Sequence, residues 1–193
     1  MTRPLLVVIS GPSGAGKDSV ADRLLESLPG LHRVVTMTTR PPRPGEVDGR
    51  DYHFVSEDEF RALLDADGFV EHATVYDRHY GVPRREIDES LASGRDTLAR
   101  VDVQGAATLR RLYPDALLIF IEPPSLDESN RRVEERDGDT EASRAVRRET
   151  ATQEMEAAKA FDHRVVNQTG RLEETALRVT EIIAAEKRKR AGS

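Results

Sequence analysis

The chain has 193 residues, of which 37% are hydrophobic and 33% are charged, and its net charge at pH 7 is −6. This length suits one domain that carries inserts, and the negative charge argues against a nucleic-acid-binding surface. Because the chain has no cysteine, disulfides and thiolate metal sites are excluded. The apolar runs are too short to span a membrane. We therefore expect a cytoplasmic protein with neither nucleic acid nor membrane as a partner.

The first predicted elements are a strand, a glycine-rich loop and a helix. An apolar run at residues 5–10 is typical of a buried strand, and residues 19–28 have helical spacing. Between them the sequence GPSGAGKDS matches the phosphate-binding pattern G-x-x-x-x-G-K. Glycines let backbone N–H groups face an anion, the helix adds its positive dipole end, and Lys17 adds a point charge. The predicted triphosphate-binding residues are Gly11, Pro12, Ser13, Gly14, Ala15, Gly16, Lys17, Asp18 and Ser19.

Asp18 departs from the phosphate-binding pattern. The residue after the lysine is normally Ser or Thr, whose hydroxyl holds Mg²⁺. A carboxylate oxygen also binds Mg²⁺, so Asp18 is the candidate metal ligand. An uncompensated acid beside a triphosphate would repel it, by about 4 kcal/mol at about 4 Å with an effective dielectric near 20. A cation is therefore expected beside Asp18.

The remaining strand-like runs alternate with amphipathic helices. They lie at residues 34–38, 97–103, 116–121 and 164–167, and a capping box at Ser56 and Glu59 predicts a helix from residue 56. The alternation predicts an α/β fold with a five-stranded parallel sheet flanked by helices. Ligands bind beyond the carboxyl ends of such strands. Site residues are therefore expected after Ser10, Thr38, Val103 and Ile121.

Residues 38–56 read TTRPPRPGEVDGRDYHFVS, and together with the loop they resemble the guanylate kinase family. The resemblance runs from about residue 5 to residue 186. It implies a P-loop NTPase fold in a single domain, residues 1–193. The implied parts are a core (residues 1–36, 96–135 and 149–193), an insert that binds the nucleoside monophosphate (37–95) and a lid (136–148). The implied reaction moves the γ-phosphoryl group of ATP to GMP or dGMP with Mg²⁺. The sequence leaves open whether the protein is a monomer or a homodimer.

The resemblance also implies an acceptor site with several roles. Arg40 and Arg43 are three residues apart and can form a fork around the phosphate dianion of the acceptor. Glu71 matches a carboxylate that accepts from guanine N1 and N2, whereas adenine would present an acceptor at N1. The resemblance implies that the hydroxyl groups of Tyr52 and Tyr80 bond the acceptor phosphate. The implied GMP-binding residues are Thr36, Arg40, Arg43, Tyr52, Glu71, Tyr80, Val82 and Asp102.

The implied catalytic residues surround the transferred phosphoryl group. Phosphoryl transfer spreads charge over three equatorial oxygens, and arginines on a closing lid stabilise that charge and exclude water. The resemblance places Asn167 beside the adenine of ATP. The residues it implies for catalysis are Lys17, Asp102, Arg132, Arg136 and Arg147.

Two further residues depart from the family pattern. Arg100 stands where an acid is usual, and Val82 stands where a Ser or Thr helps to bind guanine O6. Residues 100 and 102 lie on the same face of a strand because side chains alternate. We therefore expect Asp18 and Arg100 to form a charge-swapped arrangement. Either Asp18 takes over Mg²⁺ coordination while Arg100 steadies it, or the two form a salt bridge that displaces the usual metal position.

Two alternative functions stay open. The segments GKDS and YGV also resemble ribose 1,5-bisphosphate phosphokinases, which phosphorylate a sugar phosphate and need no guanine-binding carboxylate. A non-catalytic guanylate-kinase-like binding domain would have no use for Lys17 or the lid arginines. The intact segment at residues 38–56 favours GMP over the sugar phosphate, and the retained Lys17, loop glycines and lid arginines argue against a non-catalytic domain.

Overall fold

The computed structural model describes residues 3–75, 77–137 and 153–192. The strands are β1 (Leu6–Ser10), β2 (Leu31–Arg33), β3 (Met37–Thr38), β4 (His53–Phe54), β5 (Phe69–Val75), β6 (Arg78–Pro83), β7 (Asp96–Arg100), β8 (Leu117–Glu122) and β9 (His163–Val166). The labelled helices are α1 (Lys17–Ser27), α2 (Glu57–Asp65), α3 (Arg84–Ala92), α4 (Val103–Leu112), α5 (Leu126–Asp137) and α6 (Leu172–Ala191). Residues 153–157 are also helical and lead into a 3-10 turn at Ala158–Ala160.

A five-stranded sheet in the order β2-β7-β1-β8-β9 forms the centre of the fold, and all of its pairings are parallel. Strand β1 is buried along its whole length because it lies between two helical layers. Leu5, Val7 and Ile9 pack with apolar residues of α1 and α6. The alternate residues Leu6 and Val8 pack with residues of α3 and α4 on the other face. The predicted α/β fold with a five-stranded parallel core sheet is confirmed.

A second sheet carries the segment that the sequence assigns to the acceptor. It has four strands in the order β4-β3-β6-β5, with β3 and β4 parallel and the other pairings antiparallel. Helix α2 begins with the predicted capping box, since Ser56 accepts from Glu59 N and Glu59 accepts from Ser56 N. The exact boundaries of core, insert and lid stay a prediction.

Two predicted strand boundaries are wrong. Residues 34–38 do not form one core strand: the core strand ends at Arg33, and Met37–Thr38 pairs within the second sheet. The chain crosses between the sheets here, after Val34 N donates to Leu98 O in a last bond to the core. The strand predicted at 97–103 ends at Arg100, because the Asp102 side chain caps α4.

Glu86 of α3 lies at the junction of the two sheets. Its Oε1 accepts from Val35 N at 2.8 Å and lies 3.3 Å from His32 Nε2 of β2. Its Oε2 lies 3.1 Å from His53 Nε2 of β4. One carboxylate therefore contacts the core sheet, the crossing segment and the acceptor sheet.

The C-terminal helix uses its basic residues within the fold. Lys187 pairs with Asp96 at the start of β7, and Arg190 pairs with Glu186 at 2.8 Å. Cations in the last turn also suit the negative end of the helix dipole. None of the helices in the described ranges has the length and apolar composition needed to cross a bilayer.

Candidate functional site

The loop between β1 and α1 has a backbone that only glycine adopts easily. Gly11, Gly14 and Gly16 have φ angles of 149°, 77° and 85°. A Cβ on Gly11 would overlap the carbonyl oxygen of Ile121, and a Cβ on Gly14 would overlap that of Ser129. The glycines therefore permit both the turn and the close approach of the neighbouring chain segments.

Two side chains fix the outside of this loop, one from the residue after β9 and one from α5. Asn167 Nδ2 donates to Ala15 O at 2.9 Å, and Asn167 Oδ1 accepts from Thr175 Oγ1 at 3.1 Å. Ser129 Oγ donates to Ser13 O. The buried side chain of Asn167 holds the phosphate loop. Its place beside the adenine stays a prediction. Neither Ser129 nor Thr175 has a sequence signal that indicates this role.

Lys17 begins α1 and points its ammonium group back into the loop. Nζ donates to Gly11 O at 2.6 Å and to Pro12 O at 3.1 Å. Burial lowers the pKa of Lys17, while the charge of Glu154 is the strongest influence in the opposite direction. Burial in turn raises the pKa of Glu154. The sequence analysis missed Glu154, because an isolated acid in a polar segment looks like a surface residue.

Asp18 and Arg100 form an ion pair, with 2.9 Å between Arg100 Nε and Asp18 Oδ1. Asp18 lies in the first turn of α1 and Arg100 is the last residue of the neighbouring core strand β7. The predicted pairing of these two residues is confirmed.

Glu71 lies in β5 beside the start of α4. Its Oε2 accepts from Asp102 N at 3.2 Å. Asp102 Oδ1 accepts from Gln104 N and Gly105 N, each at 2.8 Å. Burial, together with the negative charge of Asp102, raises the pKa of Glu71 to about 8. A Cβ on Gly105 would overlap Glu71 Oε2, so the glycine provides the room for this carboxyl group.

Arg40 is held by an acid from its own loop. Its two terminal nitrogens donate to the two oxygens of Glu46 at 2.7 and 2.8 Å, which is a bidentate pair. Arg43 N donates to Glu46 Oε2 at 2.7 Å, and the Arg43 residue is exposed. Hydrogen bonds to Arg40 and Arg43 lower the pKa of Glu46 to about 2.

Two tyrosines complete the surroundings of Arg40. The Arg40 guanidinium carbon lies 5.1 Å from the Tyr52 ring centroid. The rings of Tyr52 and Tyr80 meet edge to face with 6.1 Å between centroids. Hydrogen bonds to Glu46 and to Tyr80 raise the pKa of Arg40. The structure therefore brings together the predicted residues Arg40, Tyr52 and Tyr80.

Val82 and Thr36 are two further residues that the sequence predicts for GMP binding, and Val82 lies beside Glu71. Val82 pairs with Glu71 across β6 and β5, and it is only 4% exposed in an apolar cluster with Val34 and Val101. Thr36 lies in the crossing segment, and its carbonyl oxygen accepts from His53 N at 2.9 Å. Val82 therefore places an apolar wall beside the Glu71 carboxyl group.

Of the three predicted catalytic arginines, Arg132 is the one whose side chain the structure describes. It donates to Glu128 Oε1 at 3.0 Å, to Thr169 Oγ1 at 2.7 Å and to Gly14 O at 3.3 Å. Arg132 thus connects α5 to the phosphate loop. Arg136 belongs to the last turn of α5, and Arg147 lies outside the described residues.

The comparisons with known proteins agree with one another. A family model described as guanylate kinase matches residues 2–186. The chain is 44% identical over 188 residues to "Guanylate kinase 2, chloroplastic/mitochondrial" of Oryza sativa subsp. japonica, which covers 97% of this chain and 66% of that protein. It is 43% identical over 166 residues to the guanylate kinase of Latilactobacillus sakei, which covers 86% of this chain and 82% of that protein.

A solved structure supports the same assignment. The crystal structure of guanylate kinase from Anaplasma phagocytophilum matches with a TM-score of 0.73 at 34% identity, and the match covers 97% of this chain and 88% of that one. The glycine loop, the Arg40 segment and Glu71 lie within the residues that the family model matches. The chain belongs to the guanylate kinase family.

Proposed function

We propose that the site holds ATP on the phosphate loop and GMP or dGMP on the second sheet, so that the γ-phosphoryl group passes directly between them. Family membership makes the chain an ATP-dependent nucleoside monophosphate kinase. One observation carries the assignment of the two halves: Glu71 Oε2 accepts from Asp102 N at 3.2 Å, and Asp102 follows β7, the core strand that pairs with β1. The acceptor carboxyl group and the glycine loop after β1 therefore lie at the same edge of the core sheet.

On the donor side, the proposed ligands of the phosphates are the loop N–H groups and Lys17. The first N–H groups of α1 lack intrahelical partners, and they lie at the positive end of the helix dipole. Arg132 reaches Gly14 O from α5, so its guanidinium lies at the loop. Arg132, Arg136 and Arg147 are proposed to stabilise the charge of the transferred group.

On the acceptor side, Arg40 and Arg43 are proposed to bind the phosphate of GMP, together with Tyr52 and Tyr80. Arg40 keeps its bidentate contact with Glu46 as an orienting partner, which fixes the plane of the guanidinium. The acceptor is already an oxyanion, so the reaction needs no separate general base.

Glu71 is proposed to bind the guanine edge. An ionised carboxylate accepts two hydrogen bonds, which matches the donors at guanine N1 and N2. Asp102 and Val82 flank Glu71 in the proposed site. Thr36 is proposed to contact the base as well. Burial raises the pKa of the Glu71 carboxyl group and so disfavours its ionised form. The N–H donors of a bound guanine would favour the ionised form again.

The proposed cofactor is Mg²⁺, with Asp18 as its protein ligand. Mg²⁺ usually binds through one or two carboxylates and the phosphates of a nucleotide rather than through an all-protein cage. When bound, Mg²⁺ neutralises charge on the phosphate oxygens.

A side-by-side phosphotransfer assay tests the proposal. The purified protein is given ATP with GMP, dGMP, AMP, IMP or ribose 1,5-bisphosphate, and the phosphorylated products are separated by chromatography. We expect GMP and dGMP to be used well, IMP less well because it lacks the N2 donor, and AMP least. A preference for the sugar bisphosphate, or no transfer to any acceptor, would contradict the assignment. The cytoplasmic location and the oligomeric state of the protein stay predictions.

A further inference from the structure

The ion pair between Asp18 and Arg100 occupies the position where the phosphate-binding pattern has a metal-binding hydroxyl. The Asp18 side chain is 57% exposed and the Arg100 side chain is 36% exposed. An ion pair with this exposure contributes little to stability. It can therefore be exchanged for another interaction at small cost when a ligand arrives.

Arg100 also lies near both halves of the site. It pairs with Ile9 across β7 and β1, and the glycine loop begins two residues after Ile9. Two residues after Arg100, Asp102 N donates to Glu71 Oε2 at 3.2 Å. Arg100 is thus a cation at the end of β7, next to the start of the donor loop and close in the chain to the contact with the acceptor carboxyl group.

We propose that Arg100 is a positioning residue that neutralises Asp18 until Mg²⁺ arrives with the nucleotide, so that the guanidinium and the metal ion compete for one carboxylate. The inference rests on the proposed donor site. With Arg100 in place, metal-free nucleotide meets a neutral pair instead of an isolated acid. With Mg²⁺ present, the Asp18 carboxylate would hold the metal ion in place of the guanidinium.

The proposal predicts how Mg²⁺ and nucleotide affinity are coupled. ADP binding to the full-length protein is measured by isothermal titration calorimetry, once with EDTA and once with excess Mg²⁺. We expect Arg100→Ala to weaken ADP binding in EDTA about tenfold, which corresponds to about 1.4 kcal/mol, because Asp18 then repels the phosphates. With Mg²⁺ present the same variant should bind ADP within about threefold of wild type. The dissociation constant for ADP in EDTA, divided by that with Mg²⁺, should therefore be larger in Arg100→Ala than in wild type.

Asp18→Asn and the double variant separate this mechanism from a direct phosphate contact. Asp18→Asn should reduce the Mg²⁺ effect on ADP affinity, because the metal ion loses its carboxylate ligand. Adding Arg100→Ala to Asp18→Asn should then change metal-free ADP binding little, since no acid remains to be neutralised. If the double variant binds as weakly as Arg100→Ala, Arg100 contacts the phosphates itself and the proposal fails.

Arg33→Ala is the matched control. Arg33 of β2 pairs with Asp22 of α1 at 3.2 Å, and the two side chains are 43% and 58% exposed. The pair joins the same helix to a core strand, but it lies away from the glycine loop. We expect Arg33→Ala to leave both ADP affinities unchanged, and Arg100→Lys to keep the metal-free affinity near that of wild type.

Two further results would overturn the proposal independently of the acceptor assignment. One is unchanged metal-free ADP binding in a folded Arg100→Ala protein, with the fold checked by circular dichroism. The other is a full Mg²⁺ effect in Asp18→Asn. Neither measurement uses GMP, so failure of the proposed acceptor would appear only in the phosphotransfer assay.

Discussion

The donor and acceptor halves of the site are built in different ways. The phosphate loop is mostly backbone, and it is held from outside by Asn167, Ser129 and Arg132. The acceptor half consists of side chains on a separate sheet, and its main cation, Arg40, is held by an acid of the same loop. The donor half is therefore rigid before nucleotide arrives, whereas the acceptor half depends on side-chain positions.

The difference shows what each half recognises. Backbone N–H groups and a lysine recognise phosphate, which every nucleoside triphosphate carries, so the base contributes little there. Acceptor choice requires a base edge, and Glu71 supplies directional acceptors for one. Substitutions in the donor half should weaken all reactions, and those near Glu71 should act on the acceptor alone.

Lys17→Ala should have the largest effect. It removes the one lysine of the loop, and we expect kcat to fall at least 10²- to 10³-fold, the usual cost of one charge-stabilising group. The measurement is steady-state kinetics with GMP and ATP. Lys159→Ala is the control, because Lys159 pairs with Glu156 on the surface. Activity within tenfold of wild type would exclude Lys17 from phosphate binding.

Arg40→Ala should act on the acceptor half. The loss of a charged donor to the GMP phosphate is expected to lower kcat/KM for GMP by roughly 10²-fold. ADP affinity should stay unchanged, because Arg40 lies on the second sheet. Arg50→Ala serves as the control, since Arg50 is an exposed arginine of the same segment that pairs with Asp51. Equal losses in GMP and ADP binding would remove the distinction between the two halves.

Gly105→Ala should displace Glu71 without touching the donor loop. The added methyl group would overlap Glu71 Oε2, which lies at the end of a side chain that can turn away. We expect the KM for GMP to rise about tenfold, as the base edge loses a charge-assisted contact. Gly30→Ala is the control, because nothing lies within 4 Å of a Cβ there. Unchanged KM in the Gly105 variant, or in Glu71→Ala, would show that Glu71 does not bind the base.

The raised pKa of Glu71 predicts a pH dependence of GMP binding. At pH 7 most of the carboxyl group is protonated, since its pKa is about 8. GMP affinity should therefore rise roughly five- to tenfold between about pH 7 and pH 8.5. Calorimetric titrations should show this slope in wild type and not in Glu71→Gln. A slope that survives in the Gln variant would assign it to another group.

Ionisation of Glu71 also affects the stability of the fold, which falls with rising pH whereas GMP affinity rises. A folded pKa above the ordinary 4.5 favours the protonated carboxyl, so wild type loses stability as the pH rises from about 4.5 through 8. Glu71→Gln cannot ionise, and its Tm relative to wild type should increase over this range.

Val82→Ser should have the smallest effect. A hydroxyl beside Glu71 offers one more hydrogen bond to guanine, worth about 1 kcal/mol or roughly a fivefold lower Kd for GMP. Val82 is buried, so the variant also loses apolar packing and its Tm should fall. Val34→Ser, in the same cluster, controls for that loss. Unchanged GMP affinity in a folded Val82→Ser protein would place the base elsewhere.

The fold was predictable where the pattern is local. The apolar run of β1, the glycines before Lys17 and the capping box at Ser56 each specify one conformation through neighbouring residues. Residues 34–38 have the apolar pattern of one strand, and that pattern does not show where a chain leaves one sheet for another. Asp102 likewise continues the strand pattern in the sequence, but its side chain caps α4.

The site was only partly predictable, since several of its contacts join distant segments. Arg100 was paired with Asp18 correctly because an unusual acid requires a nearby cation. Glu154, Ser129 and Thr169 carry no such conflict in the sequence, so nothing distinguished them from surface residues. Glu46 was recognised as part of the family segment, but its bidentate hold on Arg40 depends on the loop conformation.

The contacts of Glu86 have a consequence for cooperative unfolding. Its carboxylate contacts His32 of the core sheet, His53 of the acceptor sheet and the backbone between them. Separating the two sheets would leave this half-buried acid without its partners, which is costly. The two sheets are therefore expected to unfold in a single calorimetric transition. In Glu86→Ala we expect this transition to separate into two.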